Sequence, residues 1–437
     1  MACAGSSRLC VRVQEKLLLC QWGHAQASRR RAASTTTAAA TSLVQNAASV
    51  GFKPFRIPFA YDQPQCLVSA AMTASSSCLH PCNRPEVLTT ATRRNFATMR
   101  TQQPGSMPEY QVDPYLLLDD DLKDVYGYIR QALRRNTYQE ELHEIATYYF
   151  DGQGKAIRPM VAILVARAIN YHMYKENSGL LTSQREVAMI SEMIHTASLV
   201  HDDVIDQSDF RRGKPSVNVM WNHKKVTMAG DFILAVASMM IAKLRNDDVT
   251  LVLSQVITDL VQGEFMQLGS KETENERFAH YLTKTYRKTA SLIANSVKSV
   301  TMLAGADEEL AEVAYQYGRN LGLAFQLVDD LLDFVSSSAA MGKPTAADLK
   351  LGLATAPVLF ACEKYPELNP MIMRRFQEPG DVEKAFELVH KSRGLEQTQF
   401  LAKQHCQEAA RLANLIAESP YQKGLVVAAD YVLNRMK

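Results

Sequence analysis

Two short acidic segments hold the residues best suited to chemistry: Asp202-Asp203-Val204-Ile205-Asp206 and, about 125 residues on, Asp329-Asp330-Leu331-Leu332-Asp333. Each ends an apolar run with helical spacing. Three carboxylates crowded into apolar surroundings cost free energy unless a cation neutralises them. In a helix the first and fifth residues of each segment stack on one face, and the second lies about 100° round. Each segment can therefore aim two or three oxygen ligands into one cavity. Hard divalent cations such as Mg²⁺ take a few carboxylates together with substrate phosphates, which two facing segments would offer. Solvated helix caps are the plain alternative. The apolar flanks, and the basic residues that follow the first segment, weigh against it.

Those basic residues lie in Asp209-Phe210-Arg211-Arg212-Gly213-Lys214. Arginine offers a rigid fork matched to phosphate oxygens, so Arg211 and Arg212 suit a diphosphate as well as simple charge balance. Upstream, Gly152-Gln153-Gly154-Lys155-Ala156-Ile157-Arg158-Pro159 reads as the opening of a helix. Lys155 and Arg158 are expected on one face of its first turn, where backbone N–H groups also point outward. A basic pair there opposes the helix dipole, and a bound anion is a reason for it. His201 abuts Asp202, as in metal-dependent phosphohydrolases. That class needs further histidine ligands, and His143, His172, His223 and His280 fall in no such pattern.

The elements that must position these residues are helices. Apolar residues recur at threes and fours over 116–133, 157–169, 187–204, 226–244, 249–268, 281–303 and 310–335, with weaker runs over 354–436. Strand-like alternation is nearly absent, and glycine gathers at the ends of the runs. Several runs are apolar nearly all round, as befits helices inside a bundle. The pattern predicts a single large all-α domain over 110–437.

Charge divides the 437-residue chain. Residues 1–100 carry twelve Lys/Arg against three acids, Glu15, Asp62 and Glu86, leaving 36 basic and 43 acidic residues beyond them. The mildly acidic body presents no broad positive field for nucleic acid. The leader is rich in Ala, Ser, Thr and Arg and reads as a mitochondrial transit peptide and linker, with Arg93–Thr98 as a processing region. A retained N-terminal tail is the alternative. Six of the eight cysteines lie in the leader, and Cys362 and Cys406 stand far apart, so neither a disulfide framework nor a thiolate metal site is expected. No uninterrupted apolar run reaches the roughly 18–20 residues of a membrane span, so any contact with the inner membrane is expected to be peripheral.

Taken together, the two aspartate motifs, the Gly-Lys-x-x-Arg-Pro segment and the Arg-Arg pair, in this order and spacing, resemble the trans-isoprenyl diphosphate synthases over essentially all of 110–437. Ile194–His201, Gly263–Ser270 and Asp348–Thr355 make the chain most similar to the catalytic subunit of the long-chain mitochondrial branch, which makes decaprenyl or solanesyl diphosphate. The resemblance implies a helical bundle around a central cavity, of isoprenoid synthase type. It implies Mg²⁺ held by Asp202 and Asp206, with Asp203 supporting, and by Asp329, Asp330 and Asp333. It assigns Lys155, Arg158, His195 and Arg212 to isopentenyl diphosphate, and Arg211, Lys288, Thr289, Gln326 and Lys343 to the allylic diphosphate. Ala197 and Ser198, small and about one turn before Asp202, would leave room for a long tail, though small residues also permit close helix packing. In one departure, Gly352-Leu353-Ala354-Thr355 puts Leu353 where many members carry a phosphate-binding lysine. Either Lys350 substitutes or the allylic site makes do with fewer cations.

The expected activity is that of an all-trans-polyprenyl diphosphate synthase making the ubiquinone side chain, as a hetero-oligomer with a second synthase subunit or as a homo-oligomer. Two alternatives belong to other classes. A non-catalytic assembly subunit would have no need of six acids in apolar surroundings. A class I terpene cyclase would pair one aspartate motif with an Asn/Ser/Glu triad.

Overall fold

The computed structural model describes residues 112–434 apart from 153, 176–178, 270–275 and 336–345. The leader, its processing region and Lys343 lie outside the described residues. Among those described, the helices of eight or more residues are α1 (Val125–Arg134), α2 (Glu140–Thr147), α3 (Ile157–Tyr174), α4 (Thr182–Ile205), α5 (His223–Lys243), α6 (Asp247–Gly269), α7 (Arg277–Thr285), α8 (Ser291–Leu303), α9 (Glu308–Val335), α10 (Asp381–Lys391), α11 (Gly394–Ala413) and α12 (Pro420–Asn434).

The long periodic runs fold as expected, and α4 and α9 each carry one aspartate motif near the C-terminal end. The first run does not form one helix. It breaks into Pro114–Leu117, Asp119–Leu122 and α1, because Asp124 adopts a left-handed conformation at φ 60°. The run over 281–303 is also interrupted, by the single π-helical turn Tyr286–Ala290 between α7 and α8. A π turn inserts a residue into the hydrogen-bond ladder and is tolerated where function repays it.

Helix α8 lies at the centre, packed on α3, α4, α6 and α9. Nearly all of it is buried, including its hydroxyl and amide residues. Some of these satisfy themselves on their own helix: Thr301 donates to the Val297 carbonyl at 2.8 Å and Asn295 to the Ser291 carbonyl at 2.9 Å. Glycines set how closely α9 approaches. A Cβ at Gly318 would fall 2.8 Å from the Ala294 Cα, and one at Gly322 would fall 2.6 Å from the Ala290 Cα. A third glycine, Gly263 on α6, faces Lys288 in the same way, at 2.8 Å from its Cγ. The backbones of α6 and α9 thus close on the π turn from two sides.

One small β element was not expected. Phe210–Arg211 pairs antiparallel with Lys214–Pro215 as β1 and β2. Arg212 (φ 53°) and Gly213 (φ 76°) form the connecting turn, both in the left-handed region that a two-residue hairpin favours.

Candidate active site

The first motif occupies the last turn of α4, with Asp206 just past its end. A helix C-terminus carries partial negative charge, so carboxylates there are unfavourable without a cation. Asp202 is half-buried and Asp206 exposed, and no side-chain hydrogen bond from the described residues satisfies either. Burial pushes Asp202 up to about 6, opposed by the charge of Lys288 and reinforced by Glu264 and Asp206. Asp206 is raised for the same leading reason. Asp203 differs. It is fully buried, accepts from Arg211 Nε at 2.6 Å, and accepts from the Tyr149 hydroxyl. The hairpin β1–β2 exists, in effect, to bring Arg211 back onto the motif it follows.

The second motif sits in the last two turns of α9. Asp330 is buried and accepts from the Tyr281 hydroxyl at 2.5 Å and from Gln326 Nε2 at 3.0 Å. Burial raises it to about 6, its two hydrogen bonds and Lys284 lower it, and the charge of Asp329 raises it further. Asp333 accepts from the backbone N–H groups of Ala347 (3.0 Å) and Asp348 (3.1 Å), and so anchors the short helix Ala347–Lys350. Asp329 is half-buried, on the helix face it shares with Asp333, one turn away.

The π turn joins the two motifs. Lys288 Nζ lies 2.5 Å from Glu264 Oε2 and 3.1 Å from Gln267 Oε1, and its charge acts on both Asp202 and Asp206. Next to it, Thr289 donates to Gln326 Oε1 at 2.8 Å, which continues to Asp330. Successive residues of one turn therefore face opposite motifs. Lys350, weighed as a stand-in for the lysine missing at Leu353, is exposed on the outside of its helix. The cavity that Leu353 lines is instead bordered by Lys284, Arg277, His280 and Arg375.

A second basic cluster lies beside the first motif. Arg158 in the first turn of α3 and Arg212 in the hairpin turn both act on His195 and Glu192 of α4. Burial and these guanidiniums hold His195 well below the usual histidine range, so its imidazole is neutral at neutral pH. Burial raises Glu192 against the pull of the same arginines, and Glu192 accepts from the Tyr126 hydroxyl at 3.1 Å. A Cβ at Gly154 would fall 2.8 Å from Arg212 Nη1, so the glycine lets that guanidinium lie over the loop. Lys155 departs from expectation. It precedes α3, and Ala156 turns left-handed at φ 46° between it and the helix, so Lys155 does not share the helical face of Arg158. Its Nζ reaches the Tyr431 ring of α12, 5.9 Å from the centroid.

Of the two small residues before Asp202, Ala197 is closed into the core, whereas Ser198 keeps partial exposure and donates to the His195 carbonyl at 2.8 Å. His201 turns away from the motifs to α5, 3.2 Å from the Thr227 carbonyl and 3.3 Å from Asp231. Gly230 makes the space for it. Sequence reasoning missed Tyr126, Tyr149, Glu192, Glu264, Tyr281 and Lys284. Glu192 and Glu264 gave a signal, as lone acids on apolar runs; the tyrosines gave none, because an aromatic on an apolar face reads as core.

Among the described residues no three His, Cys, Asp or Glu side chains converge closely enough to hold an ion by themselves. The donor set is nevertheless all carboxylate oxygen, grouped at two helix C-termini, which suits a hard divalent cation whose coordination is completed by another oxygen-rich group.

Comparison with known proteins agrees with this geometry. Residues 139–389 match the family described as polyprenyl synthetase. The chain is 55% identical over 329 residues to the all trans-polyprenyl-diphosphate synthase PDSS1 of Homo sapiens, covering 75% of this chain and 79% of that one. It is 43% identical over 345 residues to decaprenyl-diphosphate synthase subunit 1 of Schizosaccharomyces pombe, covering 74% and 91%. Its fold is similar to a polyprenyl synthase from Caulobacter crescentus, a structure in complex with calcium and isoprenyl diphosphate, with a TM-score of 0.66, 28% identity, and coverage of 75% of this chain and 99% of that one. The chain belongs to the polyprenyl synthetase family.

Proposed function

We propose that the chain is a mitochondrial long-chain all-trans-polyprenyl diphosphate synthase, which extends an allylic diphosphate primer with isopentenyl diphosphate units to make the side chain of ubiquinone. The observation that carries this reading is the π turn. It sets Lys288 against one aspartate motif and Thr289 against the other, with a separate Arg158–His195–Arg212 cluster alongside. That is one dianionic leaving-group site between two carboxylate sets, and a second anion site beside it.

Asp202 and Asp206 from α4 and Asp329 from α9 would hold Mg²⁺, which stabilises the charge of the departing diphosphate when bound. Lys288 and Arg211 add positive charge where that diphosphate leaves the allylic carbon. Arg158 and Arg212 grip the diphosphate of isopentenyl diphosphate, and neutral His195 serves as a hydrogen-bond donor that adds no charge. Fixing both diphosphates aligns the isopentenyl double bond with the allylic cation as the C–O bond breaks. The new C–C bond forms, a proton is lost, and the departed diphosphate is the base nearest to it. The apolar walls of α4 and α8 keep water from the cation.

A partner fits the surface. On α6, Leu251, Val261, Phe265 and Leu268 form an exposed apolar stripe, and Met228 and Met239 stand exposed on the neighbouring α5. Helix α5 is the one described helix long and apolar enough to cross a membrane, and less than half of its most apolar window is buried. We assign this face to a second synthase subunit, since large apolar side chains exposed together on two neighbouring helices mark an interaction surface. The relative from S. pombe is named as subunit 1.

The test is product analysis of the purified mature chain, alone and with a candidate second subunit. Allylic primer and labelled isopentenyl diphosphate should give a long polyprenyl diphosphate that depends on Mg²⁺. Asp202→Ala should abolish it with helicity intact. Near-parental turnover in that variant would reject the site.

A further inference from the structure

We propose that Tyr149 and Tyr281 are positioning residues for the two metal-binding motifs, each holding the middle aspartate of its motif so that the outer aspartates keep their aim. The inference rests on the prenyltransferase reading above.

The two motifs are built alike at their second aspartate, which is buried in each. Its outer neighbours are half-buried Asp202 and exposed Asp206 in the first motif, and half-buried Asp329 and buried Asp333, held by two backbone N–H groups, in the second. Each buried carboxylate accepts one hydrogen bond from a tyrosine hydroxyl on its Oδ2, Tyr149 to Asp203 and Tyr281 to Asp330. Each accepts a second on Oδ1, from Arg211 Nε in one case and Gln326 Nε2 in the other. Both tyrosines are themselves buried and come from a different element, Tyr149 from the turn after α2 and Tyr281 from α7. Neither is an incidental contact. The Tyr149 hydroxyl is itself oriented by accepting from the Val217 N–H at 2.9 Å, and its ring packs on Tyr148 at 5.2 Å.

The chemistry favours a phenol in this role. A middle carboxylate with both oxygens satisfied fixes the roll of the helix end about its axis, and with it the direction of its neighbours one and three residues away. A second lysine or arginine would do the same but would add a charge that repels the cation. A neutral O–H donor fixes the carboxylate and leaves the net charge of the motif available. The two tyrosines differ in sequence distance, 54 residues before Asp203 and 49 before Asp330, yet converge on the same arrangement.

The experiment uses the mature chain and two probes, Mg²⁺ and inorganic diphosphate, titrated together by calorimetry, alongside steady-state kinetics. Tyr149→Phe and Tyr281→Phe remove the hydroxyl and keep the ring. Tyr317→Phe is the control: its buried hydroxyl donates to the Leu425 carbonyl at 2.9 Å, remote from both motifs. Each test variant should weaken Mg²⁺–diphosphate binding by about tenfold, in line with losses at other groups that orient metal ligands. The Mg²⁺ concentration for half-maximal rate should rise in step, with the KM for isopentenyl diphosphate unchanged. Tyr317→Phe should lose stability and bind the probes as the parent does. Should both test variants bind as the parent does while only their thermal stability falls, the tyrosines are structural and the proposal is overturned. Because the two tyrosines sit in separate elements, a folding failure in one leaves the other to decide. If the parent itself binds no Mg²⁺ with diphosphate, the metal reading falls, and this proposal with it.

Discussion

The titration of Asp202 follows from where α4 ends. Burial holds its folded pKa near 6, about two units above an ordinary aspartate. A raised carboxylate pKa means that the fold favours the protonated form. The stability it contributes is complete below about pH 4 and is lost as the pH rises through 6. Metal-free protein in chelator should therefore be less stable at pH 7 than at pH 5, by on the order of 1 kcal/mol. Mg²⁺ with inorganic diphosphate should restore the loss, and Asp202→Asn should flatten the slope. A parental slope in Asp202→Asn would assign the effect elsewhere. The two basic sites should also part. Arg158→Ala should raise the KM for isopentenyl diphosphate at least tenfold with little change for the allylic primer. Arg211→Ala should raise the allylic KM and also lower stability by about 3 kcal/mol, because buried Asp203 loses its charged partner. Equal kinetic effects on both substrates would argue against two sites. The motif aspartates, Arg158 and Arg212 were legible because charge on apolar runs is conspicuous. Tyr149, Tyr281 and the left-handed Ala156 were not, because a core tyrosine and a cap alanine carry no local mark.

At the scale of elements, five of the seven long periodic runs announced single helices, since period 3.6 over three or more turns has few other readings, while 116–133 and 281–303 are each interrupted. The π turn did not announce itself, because Tyr286-Arg287-Lys288-Thr289-Ala290 is an ordinary helical string; only the close packing of Gly263 and Gly322 against it reveals what holds it. The hairpin was hidden for a related reason: two-residue strands are too short to alternate. Helix α4 makes a further expectation testable. Ser198 lies one turn, about 5.4 Å, before Asp202 and is partly open, whereas Ala197 is sealed in the core. Ser198→Phe should stop elongation within the first few additions and spare the first condensation. Ala197→Phe should chiefly overpack the core, at about 1–3 kcal/mol of stability. Chromatography of dephosphorylated products, with thermal unfolding alongside, separates the two. Parental product length from folded, active Ser198→Phe would show that this face does not line the path of the tail.

Among the described residues the mildly acidic, helical body carries an apolar stripe on α6, and that stripe is the place to test assembly. Leu251, Val261, Phe265 and Leu268 recur on α6 at intervals of ten, four and three residues, so they fall along one stripe of the helix, and Phe265 is 73% exposed. Helix α6 also carries Gly263 and Glu264, which pack on and pair with Lys288, so the outer stripe and the reaction site share one rod. A subunit seated on the stripe would steady the inner face of that rod. Burying a phenylalanine contributes about 2–3 kcal/mol, and a stable interface covers over 1,000 Å² in all, so a charge at its centre should be decisive. Phe265→Glu should therefore shift the mature chain to a smaller species in sedimentation, leave its helical content unchanged, and lower turnover by more than tenfold. Lys403→Glu, exposed on α11 and away from the stripe, serves as the surface control and should sediment as the parent does. The expectation fails if Phe265→Glu keeps the parental sedimentation coefficient, or if it sediments as a monomer with undiminished turnover, for then the α6 stripe supports neither assembly nor the geometry around Lys288.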